Sequence, residues 1–339
     1  MIDSQSGTQT PSPHSKRIPI QERSIRVGDV IVVNAYRVNR TLLTQRFAEG
    51  SYQVYETKHF FLFTRMEEPM TILVHWFAPE EIDADIGTYI MQELKPLGFV
   101  PSAERFGHVI GAMICSLAPT DPQHALHLYA INTLNLYHHL LNTSEPHVFS
   151  HSNMGAFVAW YRRICQMFLG ESFLDAGCLF GFLTMLVAER IPTLKRVVGL
   201  DIQAENFPIM RAIIEEKHLD NVQFVQADLL HDDVRSFEPF DTVVALGVIE
   251  HFTEIEMYDV LRNLLAITAQ RLILTVPYEI TPEKIYGHQQ MFNRMKLETI
   301  GSWCTQHWKG HAHYLYEDCE GGLLVVERTL VRKPDYNEE

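Results

Sequence analysis

The chain has 339 residues, 46% of them apolar and 21% charged, which is enough for two units and at least one large core. Its formal charge of −14 disfavours a nucleic-acid partner held by phosphate neutralisation. Five cysteines (Cys115, Cys165, Cys178, Cys304, Cys319) are scattered without a C-x-x-C pair, as expected of reduced thiols in a cytoplasmic protein rather than a disulfide framework or zinc ribbon. No apolar run reaches the length of a membrane span, and the first residues are too polar for a signal peptide.

Residues 1–24 are rich in Ser, Thr, Gln and Pro and read as a disordered tail. Strand composition follows over Val30–Val38, Tyr52–Phe63 and Thr71–Phe77, broken by Gly50 and by Glu67-Glu68-Pro69. A helix is predicted over Glu80–Leu94, closed by Pro96 and Gly98, and Val109–Leu117 fits either strand or helix. His124–Leu141 reads as a helix behind Pro122, its apolar positions at three/four spacing. These elements make an α+β accessory domain over 25–148, by position a cover over a pocket or a dimerisation element. His124, His127, His138 and His139 on that helix need no more than a surface role.

The polar, turn-rich segment 142–153 marks the boundary to a second domain over 149–332, with a short tail at 333–339. A helix opens after Asn153 with Phe157, Trp160, Ile164 and Phe168 on one face, and its aromatics Phe157, Trp160 and Tyr161 read as core rather than a base-stacking platform. Strands at 172–177, 196–202, 222–228, 240–246 and 271–277 then alternate with helices at 182–190, 205–218 and 254–268; no helix is evident between 228 and 240. Such alternation indicates parallel βαβ units. Thr253 and Glu256 form a capping-box pattern at the head of the last of these helices. A helix at 292–303 precedes the runs His311–Tyr316 and Gly322–Thr329, joined at Gly321-Gly322 and expected to pair as an antiparallel hairpin at the sheet edge.

The chemistry concentrates where strands end. Phe173–Phe182 runs from a buried strand into a turn with Gly177 and Gly181 and on into a helix, whose free N–H groups face the turn. Asp175, Asp201 and Asp228 stand at or just past the ends of three successive strands. In an open α/β sheet all three face one crevice beyond the carboxyl ends. Any one of them is more often a turn former or a cap. Three in register beside a glycine turn are not. A dinucleotide-binding fingerprint fits less well, because it wants G-x-G-x-x-G and no acid before it.

Asp175-x-Gly177-x-x-x-Gly181, Gly199-Leu200-Asp201, Gln226-Ala227-Asp228-Leu229 and Phe240-Asp241…Leu246-Gly247-Val248-Ile249-Glu250-His251 together resemble class I S-adenosylmethionine-dependent methyltransferases over about 154–330. The resemblance implies a Rossmann-like α/β fold: a seven-stranded sheet, mostly parallel with a C-terminal antiparallel hairpin, appended to the N-terminal α+β domain. It implies S-adenosylmethionine as cofactor, lying across Gly177–Gly181, where Leu179 replaces the family's middle glycine. Asp175 or the backbone beside it would engage the methionine amine. Asp201, followed by Ile202, would hold the ribose, Asp228 with Leu229 the adenine, and Leu246-Gly247 the methionine side. A small-RNA 2′-O-methyltransferase branch carries E-x-x-E-H and a later His for a divalent ion; Glu250-His251 match its second half, but Gly247 replaces the first Glu, so no metal is assigned. The expected reaction is methyl transfer to O, N or C of a small-molecule acceptor, with metal-assisted RNA methylation and non-catalytic cofactor binding as alternatives.

For proton removal, His251 after the fourth strand and His288 in the irregular stretch after the fifth are the catalytic candidates. Tyr278 is placed to line the acceptor pocket. His311 and His313 share a face of a predicted strand and, with Glu250 and His251, present the residue types of a metal site; a solvent-facing pair is the simpler reading.

Overall fold

The computed structural model describes residues 24–41, 43, 45, 52–65, 68–143 and 153–329. The tails expected at 1–24 and 333–339 lie outside them, apart from Ser24, which opens the first strand, and so does most of the boundary segment, 144–152.

The N-terminal unit is a five-stranded sheet in the order β1-β2-β5-β4-β3, formed by β1 (Ser24–Val27), β2 (Val30–Asn34), β3 (Gln53–Glu56), β4 (Phe60–Arg65) and β5 (Glu68–His75). Three expectations change here. The single strand read over Tyr52–Phe63 is the β3–β4 hairpin, turned where Thr57 N–H bonds the Phe60 carbonyl at 2.9 Å. Strand β1 lay hidden at the edge of the polar tail and pairs antiparallel with β2. The helix read over Glu80–Leu94 is broken into a 3-10 turn (Pro79–Glu81), a short α1 (Ile86–Tyr89) and a π turn (Ile90–Leu94). The break has a local cause: Ile82 leaves helical geometry at ψ 85°, and the Asp83 carboxylate accepts the Asp85 N–H at 2.9 Å. The ambiguous stretch around Val109–Leu117 is helical, α2 (Ala103–Cys115), with Ser102 accepting the Arg105 N–H as its cap. Helix α3 (Pro122–Asn142) begins one turn-forming Asp earlier than its apolar pattern, and Asp121 accepts the His124 N–H.

The C-terminal unit opens with α4 (Asn153–Met167), followed by β6 (Ser172–Ala176), α5 (Phe182–Arg190), β7 (Arg196–Asp201), α6 (Phe207–Lys217), β8 (Val222–Gln226), β9 (Phe240–Leu246), α7 (Glu254–Ala266), β10 (Thr268–Val276), α8 (Arg294–His307), β11 (Ala312–Asp318) and β12 (Gly322–Arg328). Between β8 and β9 the chain makes only a 3-10 turn, Asp232–Ser236. The sheet order is β11-β12-β10-β9-β6-β7-β8. β8, β7, β6, β9 and β10 run parallel, and β12 enters antiparallel to β10 with β11 antiparallel at its outer edge. Central strands of a sheet covered on both faces carry continuous apolar runs, as Val243–Leu246 of β9 does and, more briefly, Val197-Val198 of β7 and Phe173-Leu174 of β6. The predicted capping box forms: Thr253 Oγ1 accepts the Glu256 N–H, and the Glu256 carboxylate accepts the Thr253 N–H at 2.9 Å.

The two units share a core. One buried cluster runs from Val30 and Leu73 through Tyr129 and Tyr137 on α3 to Phe173, Leu186 and Ile213. His138 on α3 pairs with Glu189 at 2.7 Å and His127 with Glu216 at 3.5 Å, so two of the helix's histidines tie it to α5 and α6. Trp160 and Tyr161 are buried in the same cluster, as expected of core residues. Among the described residues no helix is long and apolar enough to cross a membrane.

Candidate functional site

The chain runs outward from β6 to β7 and β8, then returns to place β9 on the other side of β6. A crevice beyond the carboxyl ends of β6 and β9 follows from this reversal, and it is where an open parallel sheet takes its ligands. The turn after β6 lines one wall and the turn after β9 the other. They touch: a Cβ on Gly177 would stand 2.5 Å from Val248 Cγ2, and Gly177 also has φ +81°, so only glycine fits. Gly177 and Cys178 donate their N–H groups to the Leu200 carbonyl at 2.7 and 3.0 Å, tying this wall to β7. Gly181 then caps α5 with φ +79°.

Leu179 bends the turn between them in the left-handed region, φ +51°, with its side chain 55% exposed. For a residue with a Cβ this conformation costs about 1–2 kcal/mol. What holds it is Asp201, whose Oδ2 accepts the Leu179 N–H at 2.7 Å while Oδ1 accepts the Gln203 N–H at 2.9 Å. Leu179→Gly should therefore raise the free energy of unfolding by about 1 kcal/mol in urea titrations. A loss of stability would show that the exposed leucine makes a compensating contact.

The three aspartates have different surroundings. Asp175 is buried, and its Oδ2 accepts both the Thr184 N–H (3.1 Å) and the Thr184 hydroxyl (2.7 Å). Burial pushes its carboxyl up to about 7. That oxygen is committed to the first turn of α5, so a ligand amine would meet the backbone beside Asp175 more readily. Asp201 ends β7 with both oxygens accepting backbone N–H groups, which leaves further lone pairs for a diol. Ile202 beside it is exposed. Asp228 follows β8, with Oδ1 on the Leu230 N–H at 2.8 Å and Oδ2 3.4 Å from His231 Nε2; Leu229 is buried beneath it. Leu246 closes β9, and Gly247 turns the chain at φ +64°.

The second wall carries the reactive side chains. Glu250, His251 and His288 gather so that one potential ligand atom from each lies within 4.8 Å of the others. The rings of His251 and His288 stand 5.0 Å apart, nearly perpendicular. Two local devices bring this about. After β9 the chain makes a 3-10 turn, Ile249–His251. The segment after β10 then folds back, with Gln289 donating its N–H to the Glu250 carbonyl (2.8 Å) and its side-chain amide to the His251 carbonyl (2.7 Å). His288 is buried, and its Nδ1 faces both oxygens of Glu279 at 2.8 and 2.9 Å, which leaves Nε2 as the free nitrogen. Glu250 Oε2 is buried with no partner, and burial pushes that carboxyl up to about 8. Burial, reinforced by His288, holds the His251 imidazole below its usual value of 6.5.

His311 and His313 do not join this group; both are exposed at the edge strand β11, and His313 lies 3.4 Å from the Thr329 hydroxyl. Tyr278 follows β10, half open to solvent, its hydroxyl paired with that of Tyr316. Ile280 and Met291, on the same stretch between β10 and α8, are also exposed. The sequence reading missed Thr184 and Glu279. Thr184 sits on the helix that Asp175 faces, at a spacing that a strand–turn–helix could have disclosed. Glu279 is related to His288 only through an irregular loop, and no periodicity points to it.

Residues 173–270 match the family model described as a methyltransferase domain. N-methyltransferase 4 from Papaver somniferum is 29% identical over 106 residues; the match spans 30% of this chain and 30% of the length of that curated relative. The solved methyltransferase domain of bacterial CtHen1-C is 17% identical, with a TM-score of 0.41 over 52% of this chain and 96% of that one. An O-methyltransferase family protein from Burkholderia thailandensis is 14% identical, with a TM-score of 0.41 over 73% of this chain and 94% of that one.

Proposed function

We propose that this protein, whose residues 173–270 match a family model described as a methyltransferase domain, uses S-adenosylmethionine to methylate a hydroxyl oxygen of a small-molecule acceptor. The observation that carries the oxygen assignment is the Glu250–His251–His288 group at the carboxyl end of β9, facing the crevice that begins at the Gly177 turn. A hydroxyl must lose a proton as it is methylated, and a half-buried imidazole kept neutral at pH 7 is suited to take it.

The residues fit the cofactor. The Gly177 turn has no Cβ to obstruct close approach, the Asp201 carboxylate has lone pairs for a ribose diol, and Asp228 with Leu229 offers an acceptor and an apolar floor for a base. Backbone at Asp175 and Leu246-Gly247 would hold the methionine end. When bound, S-adenosylmethionine supplies an electrophilic methyl group on a sulfonium and leaves as the neutral thioether. His251 receives the acceptor's proton, while Glu279 keeps His288 in one tautomer beside it. The loop that carries His288 also exposes Tyr278, Ile280 and Met291, and these apolar side chains favour an organic acceptor, as does the net charge of −14.

One observation favours a second reading, metal-assisted methylation of an RNA ribose. Glu250 Oε2 is buried and unpaired next to two histidines, a donor set of two imidazoles and a carboxylate that fits a divalent first-row transition ion better than Mg2+, which prefers oxygen ligands. Glu250, His251 and Nε2 of His288 would hold the ion, which would lower the hydroxyl's pKa. A side chain at position 247 would begin 3.4 Å from Glu250 Oε1, but φ +64° reserves that position for glycine, so a fourth protein ligand is not supplied from there.

The test is a ligand comparison followed by turnover. S-adenosylhomocysteine at 100 times its Kd should add about 2.7 kcal/mol to folding stability, with no response to NAD. Transfer to hydroxylated small molecules that survives EDTA supports the first reading. Transfer to RNA ends that dies with EDTA and returns with Mn2+ selects the second. Binding of S-adenosylhomocysteine with no transfer to either class would refute both.

A further inference from the structure

The loop that carries His288 has little structure of its own: between β10 and α8 it makes only a 3-10 turn, Lys284–Tyr286. Within it Glu283 is the hub. Its N–H donates to the Glu279 carboxylate at 3.0 Å, its carbonyl accepts the N–H of Tyr286 (3.1 Å) and of His288 (3.3 Å), and its Oε1 accepts the Ile285 N–H at 3.2 Å. Glu279 in turn fixes His288, and Lys284 Nζ donates to the His288 carbonyl at 3.0 Å.

Besides the bonds of Gln289 and Gln290 to the turn after β9, three contacts fasten this loop from the N-terminal unit. Lys95, just past the π turn, forms an ion pair with the other oxygen of Glu283, a pairing that holds the Glu283 carboxyl below its usual range. Phe106 on α2 packs edge-on against Tyr286 at 5.7 Å, and Tyr286 lies 5.9 Å from the His288 ring. Ile285 is buried in the same cluster as Val109 and Met113 of α2.

We propose that Lys95 and Phe106 are positioning residues: through Glu283 and Tyr286 the N-terminal unit holds His288 beside Glu250 and His251 and so completes the acceptor side. This rests on the reading of that group as the acceptor-side chemistry. The cofactor crevice is built from β6, β7 and β9 and does not use these contacts. Lys95 and Phe106 therefore act on turnover and not on cofactor affinity, although Tyr129 of the same unit packs against Phe180 in the turn after β6.

The test uses the full chain and three variants: Lys95→Glu/Phe106→Ala, Lys95→Glu alone, and the charge swap Lys95→Glu/Glu283→Lys. Reversal at Lys95 sets two carboxylates against each other. In Lys95→Glu/Phe106→Ala, amide exchange at Gly287–Gln289 should speed up about tenfold as the loop opens locally. Turnover should fall by about tenfold or more through misplacement of His288, with the Kd for S-adenosylhomocysteine within about twofold of wild type. Lys95→Glu should show the same pattern more weakly, and the swap should restore both exchange and turnover. Unchanged exchange and turnover in the double variant overturns the proposal, and so does a loss of cofactor affinity and melting temperature that parallels the loss of turnover. If exchange responds and is rescued while the wild type methylates no hydroxyl acceptor, the loop anchoring stands and the functional reading is what fails.

Discussion

Asp201→Ala should remove the rise in melting temperature produced by S-adenosylhomocysteine and weaken its Kd by about 100-fold in calorimetry. The size follows from the ribose diol. Two hydroxyls donating to one carboxylate make charge-assisted bonds, each worth about 1.5 kcal/mol net, and about 3 kcal/mol corresponds to two decades in Kd. The substitution also frees the Leu179 and Gln203 N–H groups that Asp201 now accepts, so the left-handed turn at Leu179 loses its tie to β7. Asp201→Asn separates the contributions. It retains one acceptor oxygen and nearly the same shape, and its Kd should fall between wild type and Asp201→Ala. A Kd unchanged in Asp201→Ala would place the cofactor elsewhere and sink the assignment of the whole crevice.

The second large effect is expected at His251. His251→Ala should lower kcat by about a thousandfold, within the usual range for removal of a positioned general base, while the Kd for S-adenosylhomocysteine moves little. The pH profile gives an independent check. Burial favours the neutral imidazole, so its folded pKa lies below the ordinary 6.5. The neutral form is the active one, so kcat/KM should be flat at pH 7 and decline only as pH drops through that lowered value. An acid limb centred above 6.5, or wild-type turnover in His251→Ala, would remove His251 from the chemistry. Glu279→Gln, which keeps a hydrogen-bond partner for His288 but removes the charge, is a useful companion because it alters the orienter without touching His251.

Much of the crevice proposed for the cofactor is legible in the sequence. A parallel strand announces itself by a short run of Val, Leu and Ala and ends in a turn, so Asp175, Asp201 and Asp228 could be placed at strand ends by local pattern alone. The capping box at Thr253 and the C-terminal hairpin are likewise local. The errors in the N-terminal unit came from the same reliance on pattern. Tyr52–Phe63 is rich in strand formers throughout, and nothing in its composition marks the turn at Thr57–His59 that splits it into β3 and β4. Glu80–Leu94 has helical spacing, but Asp83 spends its carboxylate on the Asp85 N–H and stops the helix.

The α/β class, the strand–turn–helix at Gly177–Gly181 and the placing of Asp175, Asp201 and Asp228 near three strand ends are readable from pattern within a few residues; their register is not, since Asp175 pairs with Gly199 and Asp201 with Gln226, which staggers the acids by two residues from strand to strand. Long-range contacts choose the histidine that joins Glu250 and His251. That choice is made by the loop 277–293, which has no period to read, folded back by Gln289 onto the turn after β9 and tied by Glu283 to Lys95, 188 positions away in the chain. His311 and His313, read from the sequence as a solvent-facing pair, are indeed exposed, His313 on the outermost strand β11 and His311 just before it.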